Sequence, residues 1–235
     1  MAWPELVEGL LRGYNGGVLK FLITAGPTRE YLDPARFLSN PSTGKMGYAL
    51  AAAARKFSKD VMLISGPTDL PEPRGVKFVG VETAAQMARE TLHRARKADI
   101  IILAAAVADY RPAKVSAQKM KKSSRSLTLR LVATRDIAAT LGHRKRRGQV
   151  LVGFAAETNN LLANARKKLR AKNLDLIVAN RIGRAGSGFG SDTNEIVLME
   201  SDGRVGKRLR GTKRKLAGVI VGHAIACHAI RFGTQ

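Results

Sequence analysis

The residues best placed to do chemistry lie in one stretch, Leu22 to Gly47, which reads L-I-T-A-G-P-T-R-E-Y-L-D-P-A-R-F-L-S-N-P-S-T-G-K-M-G. Gly26 follows a short apolar run, Phe21 to Ile23, of the kind that forms a buried parallel strand. Ser42-Thr43-Gly44 reads as a cap-and-glycine signal opening an alanine-rich helix at about Lys45. Strand, glycine loop and helix N-terminus in that order build a phosphate cradle at Gly26, Ser42 and Gly44. Unpaired backbone N–H groups and the helix dipole then converge on one point. Between them a polar loop carries Arg29, Glu30, Asp33, Arg36, Ser39 and Asn40.

The spacing matches neither G-x-G-x-x-G nor G-x-x-x-x-G-K-S/T, so neither standard nucleotide fingerprint is met. A structural βα turn is the competing reading. Against it stands the loop itself, which at about a dozen residues is long for a strand–helix connection. Added loop residues at the carboxyl end of a strand are where α/β proteins place their sites.

The elements that must position these residues alternate strand and helix. After the opening loop the sequence predicts a helix over Met46–Phe57 and strands over Val61–Ser65 and Val76–Val81. A helix capped by Thr83 and running to about Arg96 comes next, with Ala84, Met87, Ala88, Thr91 and Leu92 as its buried stripe. Asp99–Ala106 is the most apolar run and reads as a central strand that delivers Val107 to Pro112 to its carboxyl end. Leu127, Leu129 and Leu131 alternate with Thr128, Arg130 and Val132, predicting a flap strand paired with the segment Lys119-Met120-Lys121-Lys122.

A short helix at Asp136–Leu141 precedes a strand at Val150–Phe154. A helix starting at Asn159 or Asn160 turns Leu161, Leu162, Ala165 and Leu169 inward. Lys168 and Lys172 share its outer face, which ordinarily means solvated charge. Leu174–Ala179 is a strand and Gly183–Gly190 a glycine-rich loop. Ile196–Met199 with Arg204–Leu209 makes a hairpin, and Thr212 caps a last helix that packs Leu216, Ile220, Ala224, Cys227 and Ile230. The expected fold is α/β: a doubly wound, mostly parallel, Rossmann-like sheet with a flap and a β-hairpin attached. Residues 1–17 are an N-terminal extension in which Trp3, Leu6, Leu10 and Leu11 line one face of a short helix, and residues 18–235 form one domain.

Composition narrows the classes. Among 235 residues, 41 Lys and Arg face 18 Asp and Glu, a net charge of +23 with a pI near 11.0. Such a charge attracts polyanions at low salt. Aromatic residues are only 5% and do not interleave with the basic runs, so a stacking surface for nucleic acid is poorly supported and nonspecific binding is the expectation. The four histidines are scattered and Cys227 is alone, which excludes an intramolecular disulfide and argues against a structural zinc site. Cys227 reads as buried and inert. No secretory signal or membrane span is apparent, and a cytoplasmic location is expected.

Six ordered motifs carry a resemblance: I-T-A-G-P-T-R-E, D-P-A-R-F-L-S-N-P-S-T-G-K-M-G, A-A-V-A-D-Y-R-P, K-M-K-K, G-F-A-A-E-T and the lysine helix. Over about Val18 to Ile230 the chain resembles phosphopantothenoylcysteine synthetase, the ligase of coenzyme A biosynthesis. In many bacteria that ligase is the C-terminal half of a protein whose N-terminal half is a flavin-dependent decarboxylase. The resemblance implies a free-standing ligase with no flavin, a possible separate decarboxylase partner, and a homodimer whose flap completes the neighbour's site. It implies a two-step reaction. The carboxylate of 4′-phosphopantothenate attacks the α-phosphate of CTP to give an acyl-cytidylate, and cysteine then displaces CMP to form the amide.

By matched position the resemblance places nucleotide contacts on Leu103, Ala104, Ala105, Asp109, Lys119, Arg135, Asp136, Ile137, Ala138, Phe154, Lys168 and Lys172. Asp109 is also the implied ligand of Mg²⁺ or Mn²⁺, hard ions that prefer carboxylate, phosphate and water. Catalytic handling of substrate and acyl intermediate falls on Arg36, Asn40 and Lys119. One departure stands out: the family commonly has N-P-D-I where this chain has Thr134-Arg135-Asp136-Ile137. Two other classes share some features, a nicotinamide-dependent oxidoreductase and a basic nucleic-acid-binding module. The missing G-x-G-x-x-G and the ordered loops at strand ends count against them.

Overall fold

Three strands, β1 (Lys20–Ala25), β4 (Asp60–Ser65) and β6 (Ile100–Leu103), carry long apolar side chains on both faces, so both must be covered. The computed structural model, which describes residues 18–122, 126–182 and 190–232, covers both. Side chains of Phe21, Ile23, Ile100, Ile102, Val150 and Val152 pack on one face, under the helices α1 (Lys45–Ala54) and α5 (Lys213–Phe232). The intervening Leu22, Ile101 and Leu151 point the other way. There they meet α2 (Ala84–Ala95), α3 (Ile137–Arg144) and α4 (Leu161–Ala171). Each such buried aliphatic side chain contributes about 1.5–3 kcal/mol. The two-residue period of the strands thus divides one apolar run between two cores.

The main sheet has eight strands. With β5 (Lys77–Gly80), β9 (Val150–Glu157), β10 (Leu176–Arg181), β11 (Thr193–Glu200) and β12 (Leu209–Thr212), its order is β12-β11-β10-β9-β6-β1-β4-β5. The six strands from β5 to β10 are parallel, and β11 and β12 are antiparallel additions. Strand order reverses between β1 and β6. In sheets of this kind the crevice at that reversal is the binding site.

Several expectations are corrected. The polar loop after β1 is a β-hairpin, β2 (Arg29–Asp33) with β3 (Arg36–Ser39), because Asp33 closes its turn by accepting from the amides of Ala35 and Arg36. The flap strand β8 covers only Leu131–Ala133, since Leu127 and Leu129 lie outside any strand. It pairs with β7 (Tyr110–Pro112), not with the lysine segment 119–122, which lies in the connection. Those arms diverge from Asp109 and Thr134, which are joined by a backbone hydrogen bond, so the backbone directs the pairing. The second hairpin is not an appendage, since its first arm is β11 itself, paired along β10.

Leu162 and Ile230, expected inside, are 42% and 68% exposed, lying beyond the width of the covered stripe on each helix. Gly44, in the left-handed region at φ 76°, is the N-cap of α1 in place of Ser42 or Thr43. The helix at Trp3 to Leu11 and most of the Gly183–Gly190 loop lie outside the described residues. Thr83 forms its capping box with Gln86, Thr212 accepts from the amide of Lys215, and Cys227 is buried.

Candidate active site

The site is built where the chain leaves β1 and β6. These neighbours run in register to Thr24 opposite Leu103, and beyond it the two loops stay side by side. Buried Thr24 accepts from the amide of Ala105 at 3.2 Å, and buried Thr28 from that of Ala108 at 3.0 Å. The amide of Ala106 donates to Gly26. Ala104 and Ala105 therefore leave the ladder with small, half-exposed side chains, giving a flat ligand access to backbone. On the other side of β6, Leu103 faces Gly153, which puts Phe154 beside Ala104. Helix α1 starts directly behind this floor. Gly47 seats it against β1: a Cβ there would stand 2.4 Å from that of Ala25.

Two side chains tie the opening hairpin to this floor and to the flap. Asn40 donates through Nδ2 to the carbonyls of Ala106 at 3.0 Å and Val107 at 3.2 Å, pinning the segment that carries Asp109. Asp33, with no solvent exposure, receives Arg36 through Nε at 3.0 Å and Nη2 at 2.6 Å, and the amide of Met120 at 3.1 Å. Nη2 of Arg36 also donates to the carbonyl of Met120 at 2.6 Å. Asp33 and Arg36 together clasp the flap one residue beyond Lys119. The Arg36 guanidinium holds the Asp33 carboxyl well below the usual carboxylate range, with the amides of Ala35 and Met120 adding to the effect. Lys119 itself is exposed and pairs with no carboxylate among the described residues.

The far wall comes from α3 and α4. Asp136 caps α3 by accepting from the amide of Ala139 at 2.9 Å, and its other oxygen meets Lys172 Nζ at 3.0 Å. Partial burial opposes ionisation of Asp136; the Ala139 amide and the Lys172 ammonium outweigh it and leave the carboxyl below its ordinary value. Lys168 reaches Glu157, at the end of β9, at 2.7 Å, and Asn164 donates to the other oxygen of that carboxylate at 2.9 Å. The two lysines that periodicity reads as solvated are engaged, each by a carboxylate from another element. The amide of Thr134 donates to the carbonyl of Asp109 at 2.9 Å, so the root of the flap joins exposed Asp109 to Arg135 and the N-terminus of α3.

Comparison with known proteins fits this geometry. Residues 18–227 match the family described as the DNA/pantothenate metabolism flavoprotein C-terminal domain. The chain belongs to this family. It is 52% identical over 183 residues to the coenzyme A biosynthesis bifunctional protein CoaBC of Bacillus subtilis (strain 168), an alignment covering 77% of the chain and 45% of that protein. The chain thus spans about half the length of this curated relative. Among solved structures, the C-terminal domain of a CoaBC protein superposes with a TM-score of 0.75 at 39% identity, covering 91% of this chain and 96% of that one. A Cab2 variant in complex with phosphopantothenate-cysteine shares the fold at a TM-score of 0.71 and 16% identity, covering 97% of this chain and 93% of that one.

Within this member of the DNA/pantothenate metabolism flavoprotein C-terminal domain family, the tertiary structure brings most of the sequence-derived residues to one end of the sheet. Leu103, Ala104, Ala105, Asp109 and Phe154 form the floor. Arg135 to Ala138 form the start of α3, beside Lys172. Asn40 and Arg36 reach in from the hairpin, while Lys119 stays on the flap. Ser42 does not cap α1; its hydroxyl lies 3.4 Å from the amide of Gly44 within the same turn. Sequence reasoning assigned no role to Asp33, Glu157, Thr24 or Thr28. The Asp-Pro-Ala-Arg run was a usable signal for Asp33, since aspartate before such a turn bonds the amides two and three residues on. For Thr24 and Thr28 no local signal exists, because their partners lie 81 and 80 residues away. Glu157 bonds Asn164 and Lys168, 7 and 11 residues on, but only the packing of α4 against β9 turns those side chains toward it.

Proposed function

We propose that the chain is a phosphopantothenate–cysteine ligase that activates 4′-phosphopantothenate with CTP and condenses the acyl-cytidylate with cysteine. The observation that carries this reading is its 39% identity, across 96% of the other chain, to the isolated C-terminal domain of a CoaBC protein. The crevice supplies what the chemistry needs. Lys168 and Lys172 stand at its wall for a triphosphate, exchanging carboxylate partners for phosphate oxygens. The α3 N-terminus offers amides and a favourable dipole to the same charge. Small residues at 104 and 105 admit a flat base against the backbone at the end of β6.

The Gly26–Gly44 turn and the start of α1 receive the phosphate of phosphopantothenate. Asn40 keeps the Ala106–Val107 segment fixed while the mixed anhydride waits for cysteine, and as a neutral amide it neither repels phosphate nor becomes acylated. Lys119 neutralises charge on the triphosphate or the activated carboxylate while the acyl-cytidylate forms, a role in which preorganised donors contribute strongly.

A divalent cation fits one way only. Among the described residues no group of three or more ligating side chains exists, and Asp109 is a single exposed carboxylate. That donor set suits Mg²⁺ or Mn²⁺ held mainly by the triphosphate, with Asp109 as its protein ligand. When bound, the ion would offset phosphate charge. The flap exposes Leu127, Leu129, Leu131, Val115 and Tyr110, a surface suited to a second copy of this chain. No helix among the described residues is long and apolar enough to cross a membrane.

The test is pyrophosphate release from CTP and from ATP, with phosphopantothenate and with or without cysteine. CTP-dependent release followed by amide formation is expected. Faster release with ATP would overturn the choice of nucleotide, and no release with either would overturn the reaction.

A further inference from the structure

A second basic region lies outside this crevice, in the groove between α2 and α3 on the sheet face that carries Leu22, Ile101 and Leu151. It encloses about 780 Å³, within the range of roughly 300–1,000 Å³ usual for small-molecule sites. Six arginines line it: Arg89, Arg96, Arg111, Arg135, Arg144 and Arg146. No carboxylate and no lysine does. Arg89 is neutralised by Glu90 at 3.1 Å and Arg146 by Asp99 at 3.4 Å. Arg96, Arg111, Arg135 and Arg144 pair with no carboxylate among the described residues; Arg111 and Arg135 reach only the carbonyl of Pro112 and the hydroxyl of Thr140. Like charges gathered around one concavity repel, and an anion relieves that repulsion. Between the arginines the lining carries apolar Ala88, Leu92 and Leu141 beside the polar His93, Thr134 and Gln149.

We infer that this groove is a second binding site, for a soluble small molecule that carries two or more phosphates and an apolar or aromatic portion. The guanidinium fork matches phosphate bidentately, which a lysine ammonium cannot do. Along α2 the lining runs from Ala85 to Arg96, roughly 16 Å at the helical rise, enough for a polyphosphate with a ring attached. Arginines border both its flap end, at Arg111 and Arg135, and its far end, at Arg96 and Arg146. Of the positions assigned to the nucleotide, only Arg135 borders the groove; Leu103 to Ala105, Phe154, Lys168 and Lys172 do not. Nucleic acid fits less well, because no aromatic side chain other than the imidazole of His93 lines the groove to stack a base.

The experiment is calorimetric titration of the whole chain with inorganic tripolyphosphate and with a nucleoside triphosphate at roughly physiological salt. Two classes of saturable site per chain are expected. Arg96→Gln with Arg144→Gln should weaken one class about a hundredfold, about tenfold for each charge-assisted hydrogen bond removed. Lys168→Gln with Lys172→Gln should weaken the other. Arg144→Gln alone, on an exposed side chain, repeats the measurement if the double variant unfolds. Retained charge in Arg96→Lys with Arg144→Lys should recover only part of the affinity. The nucleoside triphosphate should bind the groove more tightly than tripolyphosphate, and equal affinity would remove the apolar portion from the proposal. An Arg96→Gln/Arg144→Gln isotherm that superposes on the parent overturns the site. So does a single-stranded oligonucleotide that displaces tripolyphosphate from it with higher affinity.

Discussion

The strand-end crevice and the α2–α3 groove are both rich in cations, yet they treat them in opposite ways. In the crevice Arg36, Lys168 and Lys172 are each held by a carboxylate from a neighbouring turn or element, at 2.6, 2.7 and 3.0 Å. In the groove four of six arginines have no such partner among the described residues. A paired cation is aimed before the ligand arrives, which suits chemistry that tolerates little misplacement. An unpaired cluster supplies field and affinity without fixed geometry. On the proposed assignments, the difference separates a place for reaction from a place for binding.

The sharpest way to break that comparison is Lys119, a cation of the working end that pairs with no carboxylate among the described residues. Lys119→Gln should lower acyl-cytidylate formation by about 10²–10³, the cost typical of removing one transition-state donor. Asn40→Asp should leave some acyl-cytidylate and stop before the amide, since it sets a charge against the carbonyls of Ala106 and Val107. A quench with CTP and phosphopantothenate, first without and then with cysteine, separates the two. Amide made at the parent rate by Asn40→Asp would end the role given to the opening hairpin.

Asp33→Asn tests preorganisation directly. Without the clasp on Met120 the flap should lose its register, and amide formation should fall about a hundredfold, the cost of roughly 1 Å of misplacement. The Asp33 carboxyl is depressed in the folded state, so its contribution is full above the usual value of about 3.9 and is lost as pH falls through the lower folded value. Proteolytic protection of the flap should therefore survive down to about pH 4, and release near pH 5 would contradict the ion pair. A smaller effect is expected of Lys168→Gln or Lys172→Gln, about tenfold each in KM for the nucleotide with little change in kcat, read from steady-state kinetics. Smallest of all, Arg96→Gln with Arg144→Gln should leave kcat and KM for CTP within about twofold. A larger loss would merge the two regions into one.

Much of this site was legible because its floor is local. The run from Asp99 to Ala106, the glycine after β1 and the lysines four apart on α4 each announce themselves within one turn or one strand. The clasp was not legible. Asp33 and Met120 are 87 residues apart, and only the return of the flap over the hairpin brings them within 3.1 Å. The flap was misread for a related reason: alternation at Leu127 to Leu131 reads as a strand, but only Leu131 to Ala133 finds a partner to pair with. Tyr110 to Pro112, also an extended segment, won because the chain enters and leaves the flap at adjacent points, Asp109 and Thr134.

By itself the sequence determined the alternating α/β order, the two-sided burial of the central strands, the family motifs and the excess of positive charge. Those properties reside in residue type and short-range period, which act before any distant contact forms. Only the tertiary structure decided how the charge is used. It set Lys168 against Glu157 and Lys172 against Asp136, closed Arg36 onto Asp33, and left the arginines of α2 and α3 facing one another. Electrostatic interaction depends on distance and on exclusion of water, and neither exists until the sheet has brought remote segments side by side.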